Sequence, residues 1–480
     1  MKSRLCQIMN WACENLGPLT TACNEPARNC KTKTVMTKQN LIQVCLLSAA
    51  LLQAATSGAQ PVTKIAGGGS QSFFLKSGGS LWAMGLNDFG QLGNGTYNPT
   101  NWPEKILVTN VTAIAAGIHH TLFLKNDGSL WAMGDNESGE LGDGTINQAN
   151  QPAKIVATNV TAIAGGEFHS LFLKSDGSLW AMGYNSDGEL GDTTFNDSHS
   201  PEKIVTTNVT AIAAGEWHSL FLKSDGSLWA MGWNEFGQLG DGNNNRPDVN
   251  SPEKIVTTNV TAIAAGWDHS LFLKDDGSLW AMGNNAFGQL GDGSLNSVGT
   301  NSPEKIVASG VTAIAAGRGH SLFLKSDGSL WAMGDNGDGQ LGDGTVDGQL
   351  FPEKIVASGV TAIAAGEYHS VFLKSDGSFW GMGHNDNGEL GDRTLNNTNR
   401  TELILAAYDR IFPQLLSGSG IRLSFVGIDR TSYALDRSFK LAPANWVPQT
   451  TNSTDSVGVL VLTNTPNPAT NNFWRMRSVP

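Results

Sequence analysis

One segment, Gly-Ser-Leu-Trp-Ala-Met-Gly, occurs seven times in this chain of 480 residues, with two changes in its last copy. Its tryptophans are Trp82, Trp131, Trp180, Trp229, Trp280, Trp331 and Trp380. Successive tryptophans are 49 or 51 residues apart. Such a period is typical of repeat architectures, in which each unit buries its apolar faces only against its neighbours. The sequence therefore predicts a repeat protein over most of its length.

Each unit predicts four β-strands. In the third copy, residues 160–165 and 170–174 are apolar runs rich in β-forming residues. Asp176-Gly177 is a tight-turn signal, after which residues 178–183 form a third strand and residues 203–205 a short fourth one. Four strands in a unit of about 50 residues are typical of a β-propeller blade.

Both faces of each predicted blade are apolar. In the third copy, Trp180 and Met182 lie on one face, whereas Leu179 and Ala181 lie on the other. Two apolar faces are expected when sheets pack face to face and each face is buried. A small alanine opposite a large tryptophan lets neighbouring sheets interlock.

The repeat also carries a motif that resembles a known family. The order Ala-Gly-x-x-His-Ser, Asp-Gly and Trp-x-x-Gly-x-Asn-x-x-Gly-Gln-Leu-Gly resembles the regulator of chromosome condensation repeat, over about residues 62–405. The signatures of kelch and tryptophan-aspartate repeats are absent. The resemblance implies an all-β fold, a seven-bladed β-propeller of four-stranded blades, which we place at residues 60–405. Residues 406–480 leave the repeat and predict a small C-terminal β module, with a role in attachment, sorting or capping.

The first 59 residues differ from the rest of the chain. Residues 36–59 combine a basic start, an apolar stretch and a small-residue end before Gln60, the order of a secretory signal peptide. A short amphipathic helix is the alternative. Residues 1–35 show no pattern, and we interpret them as an over-extended, unstructured start before the initiator Met36. The expected location is outside the cell or at its surface, with the periplasm as a further alternative.

Charge and composition exclude several classes of partner. Residues 1–59 carry six basic and two acidic side chains, so the formal charge of −12 for the whole chain leaves −16 on residues 60–480. An acidic surface repels phosphate backbones, so no nucleic-acid partner is expected. No run of about 18 apolar residues predicts a membrane span. All five cysteines precede residue 60, so no thiolate site is expected beyond it. We also expect the chain to be a monomer.

Two sets of repeated polar residues could suggest metal sites. The histidines of the Gly-x-x-His motif are His120, His169, His218, His269, His320 and His369. Zinc ligands lie about 2 Å from the metal, whereas the histidines, one per blade, are spread around a wide circle. Each histidine is therefore expected to tie a loop to its own blade.

The aspartates of the Leu-Gly-Asp segments are Asp143, Asp192, Asp241, Asp292, Asp343 and Asp392. Calcium loops concentrate several oxygen ligands, so these single carboxylates are expected to accept hydrogen bonds from nearby amides. No metal, cofactor or catalytic residue is predicted.

The residues that differ between copies are the candidates for recognition. They precede the motif histidine or the loop asparagine, and both positions fall in loops at the same end of a blade because antiparallel strands reverse direction. We call this set the rim: Glu167, Phe168, Tyr184, Glu216, Trp217, Trp233, Trp267, Asp268, Arg318, Glu367, Tyr368 and His384. Aromatic residues are enriched at binding hot spots. The rim is therefore predicted to bind a ligand, and filling of gaps between loops is the alternative.

These observations favour a secreted, non-enzymatic binding or scaffold propeller that recognises a protein or a glycan through its aromatic and acidic rim. The resemblance implies two alternatives. One is guanine-nucleotide exchange on a small GTPase, the activity of the family's founding member, although an export signal and an acidic surface count against it. The other is inhibition of a secreted enzyme such as a β-lactamase, since a similar exported bacterial propeller inhibits β-lactamases through an aromatic-rich face.

The interpretation of residues 1–59 predicts a defined mature product. When the whole chain is expressed in its own host, the exported protein should begin at Gln60, because cleavage is expected after Ala59. Cell fractionation followed by amino-terminal sequencing measures this. A cytosolic product that retains residues 36–59 would contradict it.

Overall fold

The computed structural model describes residues 61–243 and 248–405, and the backbone of six further strands between residues 410 and 479. The predicted start segment, 1–35, and the predicted signal peptide, 36–59, lie outside the described residues. Within the described ranges, no helix has the length and apolarity that a membrane crossing requires.

Residues 62–405 form seven four-stranded antiparallel sheets, each with its strands in chain order. The first strands are β1 (Val62–Gly67), β5 (Val111–Ala116), β9 (Val160–Gly165), β13 (Val209–Ala214), β17 (Val260–Ala265), β21 (Val311–Ala316) and β25 (Val360–Ala365). The second strands are β2 (Gln71–Lys76), β6 (His120–Lys125), β10 (His169–Lys174), β14 (His218–Lys223), β18 (His269–Lys274), β22 (His320–Lys325) and β26 (His369–Lys374).

The outer half of each blade completes the sheet. The third strands are β3 (Leu81–Gly85), β7 (Leu130–Gly134), β11 (Leu179–Gly183), β15 (Leu228–Gly232), β19 (Leu279–Asn285), β23 (Leu330–Gly334) and β27 (Phe379–Gly383). The fourth strands are β4 (Thr100–Lys105), β8 (Ala149–Val156), β12 (Ser198–Val205), β16 (Val249–Val256), β20 (Asn296–Val307), β24 (Gln349–Val356) and β28 (Thr398–Leu405). The seven-bladed all-β propeller predicted from the repeat is confirmed.

The fourth strand is longer than the sequence predicts. In the third blade β12 runs from Ser198 to Val205, and its first residue pairs with Gly183 of β11. The prediction of residues 203–205 was too short because β12 is the outer edge of its sheet. Its first residues are polar, with Ser198 buried and His199 and Ser200 exposed, so they lack the apolar signal that marks the inner strands.

The first strands line the centre of the propeller. The first strands of consecutive blades contact one another, and β1 contacts β25, so the seven blades form a closed ring. The backbones approach closely at this point. A Cβ atom on Gly67, the last residue of β1, would lie 2.8 Å from the backbone of Ala365. This close approach explains why the first blade has glycine at this position.

Apolar side chains hold the blades together face to face. Leu130 and Ala132 of the second blade pack with Met182 of the third, and Trp180 covers the edge of the same cluster. The Trp180 ring stacks on Phe172 of its own sheet, with 5.9 Å between the ring centroids. Burying each large apolar side chain contributes about 1.5–3 kcal/mol. The predicted interlock of alanine against tryptophan is confirmed.

A polar contact also joins each blade to the next, and we call it the His–Ser latch. His169 Nε2 lies 2.9 Å from Ser219 Oγ of the following blade, and this hydroxyl donates to the Glu189 carbonyl oxygen over 2.7 Å. Five other pairs repeat the imidazole contact at 2.8–2.9 Å: His120–Ser170, His218–Ser270, His269–Ser321, His320–Ser370 and His369–Ser72. The prediction that each histidine binds within its own blade was wrong. Side chains alternate across a strand, so the histidine faces the following blade and the serine faces the preceding one.

Burial keeps the histidines of the latch neutral. Because Ser219 donates its only proton to a carbonyl, His169 must donate its Nε2 proton to Ser219, which assigns the tautomer. Complete burial lowers the pKa of His169 to about 3. The first blade has Gln71 at this position. Its amide donates over 3.0 Å to the carbonyl oxygens of Gly117 and Ile118 in the second blade, so glutamine also joins two blades.

Six strands follow the propeller in sequence. They are β29 (Arg410–Leu415), β30 (Ile421–Val426), β31 (Ser432–Ser438), β32 (Val447–Ser453), β33 (Val459–Asn464) and β34 (Phe473–Val479). They form two antiparallel three-stranded sheets, ordered β29-β30-β33 and β32-β31-β34. The predicted C-terminal β module corresponds to these strands, and the remaining residues of 406–480 lie outside the described part of the chain.

The latch predicts how the protein responds to acid. Burial lowers the pKa of His218 from 6.5 to about 4, so the unfolded chain binds more protons between these values and stability should fall as the pH falls from 6.5 to 4. His218→Gln should reduce this dependence of stability on pH, since glutamine does not titrate.

The latch also predicts a loss of stability at pH 7. His218→Ala should cost about 1–3 kcal/mol of unfolding free energy, and His218→Gln should cost less. Urea unfolding at several pH values measures both effects. Equal losses in the two variants would contradict the latch.

Candidate functional site

Two loops of every blade meet at one end of the propeller. One loop joins the first and second strands, and the other joins the third and fourth. In the third blade Tyr184 N donates to the Phe168 carbonyl oxygen over 2.9 Å, and in the fourth Trp233 N donates to that of Trp217 over 2.8 Å. The other five blades have the equivalent bond. All twelve rim residues lie in these paired loops or at their edges, and each is half-buried.

The rim has an inner and an outer tier. A central cavity of about 100 Å³ is lined by the side chains that directly follow the glycine of the Gly-x-x-His motif. They are Ile118, Glu167, Glu216, Trp267, Arg318 and Glu367. The rest of the cavity wall is glycine and alanine backbone. The other rim residues lie outside this tier. The structure therefore brings three predicted carboxylic acids, one arginine and one tryptophan together around one axis.

One side of the cavity holds the Arg318 guanidinium. Its central carbon lies 3.8 Å from the centroid of the Trp267 ring and 5.0 Å from that of Tyr368. One of its nitrogens lies 3.6 Å from a Glu367 carboxylate oxygen. Aromatic faces and a carboxylate thus hold a planar cation in a half-buried position, where such contacts are stronger than in open water.

The other side of the cavity holds a pair of carboxyl groups. Burial raises the pKa of Glu216, and the hydrogen bond to Glu167 raises it further, so the pair favours a shared proton. Burial also raises the pKa of Glu167. Trp217 donates a hydrogen bond to Glu216. Glu167 Oε2 is buried and has no hydrogen-bond partner among the described residues.

Three aromatic rings form a cluster beside this pair. The Phe168 centroid lies 5.4 Å from that of Trp217 and 6.2 Å from that of Tyr184. Tyr184 and Trp217 meet edge to face at 5.2 Å. Aromatic pairs prefer such tilted geometries at these separations, so the three rings fix one another in place.

Three predicted rim residues lie further from the carboxyl pair. Asp268 bonds to Asn284, and burial raises its pKa to about 7, with Glu216 adding to the shift. His384 bonds through Nδ1 to Glu389, and this bond is the main reason that its pKa is raised. Trp233 is tied to Trp217 through the backbone. None of these three side chains lines the central cavity.

A row of buried acids and amides lies beneath the outer tier, and the sequence analysis missed it. The Gln/Glu-Leu-Gly position is buried in every blade: Gln91, Glu140, Glu189, Gln238, Gln289, Gln340 and Glu389. Glu140 Oε2 accepts a hydrogen bond from Ser138 N at 3.0 Å, and burial raises its pKa to about 8. A protonated glutamic acid thus replaces a glutamine. The alternation of Gln and Glu in the repeat was the signal, because a glutamine and a protonated glutamic acid have the same shape, whereas Glu389 at this position pairs with His384.

Further aromatic residues of this end were also missed. Phe89 and Phe287 lie two positions after the loop asparagine in their blades. Phe89 packs against His119, with 4.5 Å between the ring centroids, and Phe287 is 50% exposed. Phenylalanine occurs at this position in only some copies, a variation that the sequence shows.

The Leu-Gly-Asp carboxylates stabilise the long loops. Asp143 Oδ1 accepts hydrogen bonds from Thr145 N at 2.8 Å and from Asn136 Nδ2 at 3.2 Å. Asn136 Oδ1 in turn accepts from Leu141 N at 2.9 Å. The predicted role in binding amides is confirmed. In the described ranges, no three His, Cys, Asp or Glu side chains are grouped so that they could hold a metal ion.

The fold and the repeat define the class of this protein: a seven-bladed propeller built from one duplicated unit. The family model for the RCC1-like domain matches residues 147–437, more than half of the chain. Two models of the regulator of chromosome condensation (RCC1) repeat match residues 78–124 and 111–140. The chain belongs to the RCC1-like domain family, as the resemblance in the repeat implied.

The chain is also similar to individual proteins, over short stretches of sequence or over most of the fold. The RCC2 homolog of Danio rerio is 39% identical over 79 residues, which are 16% of this chain and 16% of that protein. The chain thus matches about a sixth of that relative's length. Human WBSCR16 is 25% identical with a TM-score of 0.59, over 66% of this chain and 87% of that structure. Prp20p of Saccharomyces cerevisiae, described with its binding to Gsp1p and histones, is 24% identical with a TM-score of 0.61, over 72% and 86%.

The buried acid row predicts a pH-dependent gain from one substitution. The pKa of Glu140 rises from 4.5 to about 8 on folding, so the folded protein binds more protons in this window and loses stability as the pH rises through it. Glu140→Gln keeps the shape and removes the titration. It should match the parent at pH 5 and exceed it by more than about 1 kcal/mol at pH 8.5.

Chemical denaturation at both pH values measures this difference. Glu353→Gln is the matched control, since Glu353 is exposed on β24 and should show no such gain. A Glu140→Gln variant that is less stable than the parent at pH 8.5 would show that the site requires a carboxylate.

Proposed function

We propose that this chain is a secreted, non-enzymatic binding propeller that recognises a protein partner through its rim. The observation that carries the proposal is the meeting of aromatic and acidic side chains from four blades, and of Arg318 from a fifth, in paired loops at one end. These residues differ between copies, although the scaffold around them is nearly identical. Family membership supports the scaffold, and the identity of the partner is inferred from the chemistry of the rim.

The aromatic side chains support recognition of a protein. Tryptophan, tyrosine and arginine are the residues most enriched at interface hot spots. Here Phe168, Tyr184 and Trp217 hold one another in place, and Trp267 is covered by Arg318. Side chains that are already ordered lose little entropy on binding, so more of the contact energy appears as affinity.

The charge of the rim supports a basic partner. Four rim acids, Glu167, Glu216, Asp268 and Glu367, lie close enough to shift one another's pKa, and each pKa is raised mainly by burial. Arg318 is the cation among them. A basic group that approaches these carboxyl groups favours their ionised form, so they can pair with it once it binds.

The proposed location rests on residues 36–59, which have the order of a secretory signal peptide. An exported binding protein meets its partner outside the cytosol. The partner is therefore sought among secreted and surface proteins.

The rim proposal predicts which tryptophans matter. A partner captured by crosslinking from the host's extracellular fraction should bind the purified chain at least tenfold more weakly after Trp217→Ala or Trp267→Ala, because each change removes a buried aromatic contact. Biolayer interferometry measures the affinities, and thermal unfolding checks that the variants fold.

Trp102→Ala is the matched control. Trp102 is 44% exposed on the outer strand β4, away from the rim, so its loss should leave the affinity unchanged. The proposal fails if Trp102→Ala weakens binding while both rim variants bind like the parent.

A further inference from the structure

We propose that the side of the central cavity formed by Glu167 and Glu216 binds an arginine side chain of the partner. This inference rests on the proposed function and names the group that the rim recognises at its centre. It is carried by the contacts that the chain already makes to its own Arg318.

Arg318 shows how this cavity holds a guanidinium group. The group lies 3.8 Å from the face of Trp267 and 3.6 Å from the Glu367 carboxylate, with Tyr368 at 5.0 Å on another side. All four residues come from the paired loops of blades five, six and seven. The binding elements are one carboxylate and two aromatic faces.

Blades three and four have carboxyl and aromatic side chains at the same repeat positions, and the charge of Arg318 lowers the pKa of both carboxyl groups against the larger effect of burial. Glu167 and Glu216 occupy the repeat position of Glu367, and Phe168 and Trp217 occupy that of Tyr368. Of the described residues that line the cavity, Arg318 alone has a cationic side chain. This side of the cavity therefore has two carboxyl groups for a guest, and the Phe168 and Trp217 rings lie in the adjoining loops.

The carboxyl pair has unused capacity for hydrogen bonds. Glu167 Oε2 is buried without a hydrogen-bond partner in the described ranges, which is costly for a carboxylate oxygen. Glu216 and Glu167 meet as a pair that favours a shared proton, since burial raises the pKa of both. A guanidinium group offers five N–H donors in one plane, so it can replace that proton and satisfy both carboxylates.

Arginine fits this site better than other cations. The guanidinium is planar and weakly hydrated, so it stacks on aromatic faces and bonds to carboxylates in the same plane, whereas an ammonium is a compact, strongly hydrated charge. A cavity of about 100 Å³ exceeds the roughly 30 Å³ that a water molecule occupies, so it has room for a small planar group.

Three capped peptides test the inference on the full mature chain: acetyl-Gly-Arg-Gly-amide and its citrulline and lysine analogues. Citrulline has the shape of arginine without the charge. Tryptophan fluorescence should report saturable binding of the arginine peptide, because Trp217 borders the site. The citrulline peptide should bind at least tenfold more weakly, and the lysine peptide should fall between them.

Two variants locate the site. Glu167→Gln and Glu216→Gln should each weaken the arginine peptide at least fivefold, whereas Glu353→Gln should leave it unchanged. Both rim variants are expected to fold, since glutamine is isosteric and removes a like-charge contact. Thermal unfolding at pH 8.5 checks this, and should show them at least as stable as the parent.

The shared proton gives an independent readout. Glu216 faces Glu167, Asp268, Glu367 and Arg318, and burial together with the contact to Glu167 raises its pKa. Arginine stays charged throughout, so its affinity should rise from pH 6.5 to 9 as the proton leaves. Calorimetry in two buffers of different ionisation enthalpy should detect proton release at pH 7, and Glu216→Gln should abolish both effects.

The outcomes separate the two proposals. Equal binding of the arginine and citrulline peptides, or unchanged binding in both Glu→Gln variants, would overturn the arginine site. If that happens while Trp217→Ala still weakens the captured partner, the rim remains the binding surface and only the arginine site is lost. If the peptide binds as expected and the affinity of the captured partner is unchanged by Trp217→Ala and Trp267→Ala, the proposed function is wrong instead.

Discussion

The hydrogen bond from each imidazole to the serine of the next blade is the contact on which the rest of the structure depends. The histidine comes directly after the two variable residues of its loop, so anchoring the ring also fixes those residues. The serine hydroxyl donates a hydrogen bond to the carbonyl oxygen of a Gln or Glu in the long loop of the preceding blade, as Ser219 does to Glu189. One chain of bonds thus joins both rim loops and two blades. Because burial keeps these imidazoles neutral, protonating them in acid weakens the fold that positions both loops.

The rigid scaffold explains how nearly identical blades can form a specific surface. Strands, turns and latches repeat, so every copy places its variable side chains at the same height and radius. Sequence differences between the copies therefore place different side chains at equivalent positions around the propeller axis. Glu167 and Glu216 meet as a pair because blades three and four are neighbours, whereas Arg318 reaches both Trp267 and Glu367 from the blade between them.

Most of the fold could be predicted from the sequence, because the repeat determines the strands and the alternation of Trp180 with Ala181 determines the packing. The length of β12 could not, since an exposed edge strand needs no apolar side chains. The partner of His169 could not either, because a spacing within one copy does not reveal contacts between copies. The end on which the rim lies followed from strand direction. Its internal pairing did not, since the contact between Glu167 and Glu216 depends on blade geometry and on a proton that the sequence does not show.

The central claim is that the variable residues of one end form the recognition surface. Hydrogen–deuterium exchange of the chain with and without its captured partner tests it most directly. The account predicts slower exchange in the loops around residues 166–169, 184–188 and 215–218 on binding, with no change at the opposite turns around residues 175–178 and 224–227. Protection confined to those turns, with the loops unchanged, would contradict it.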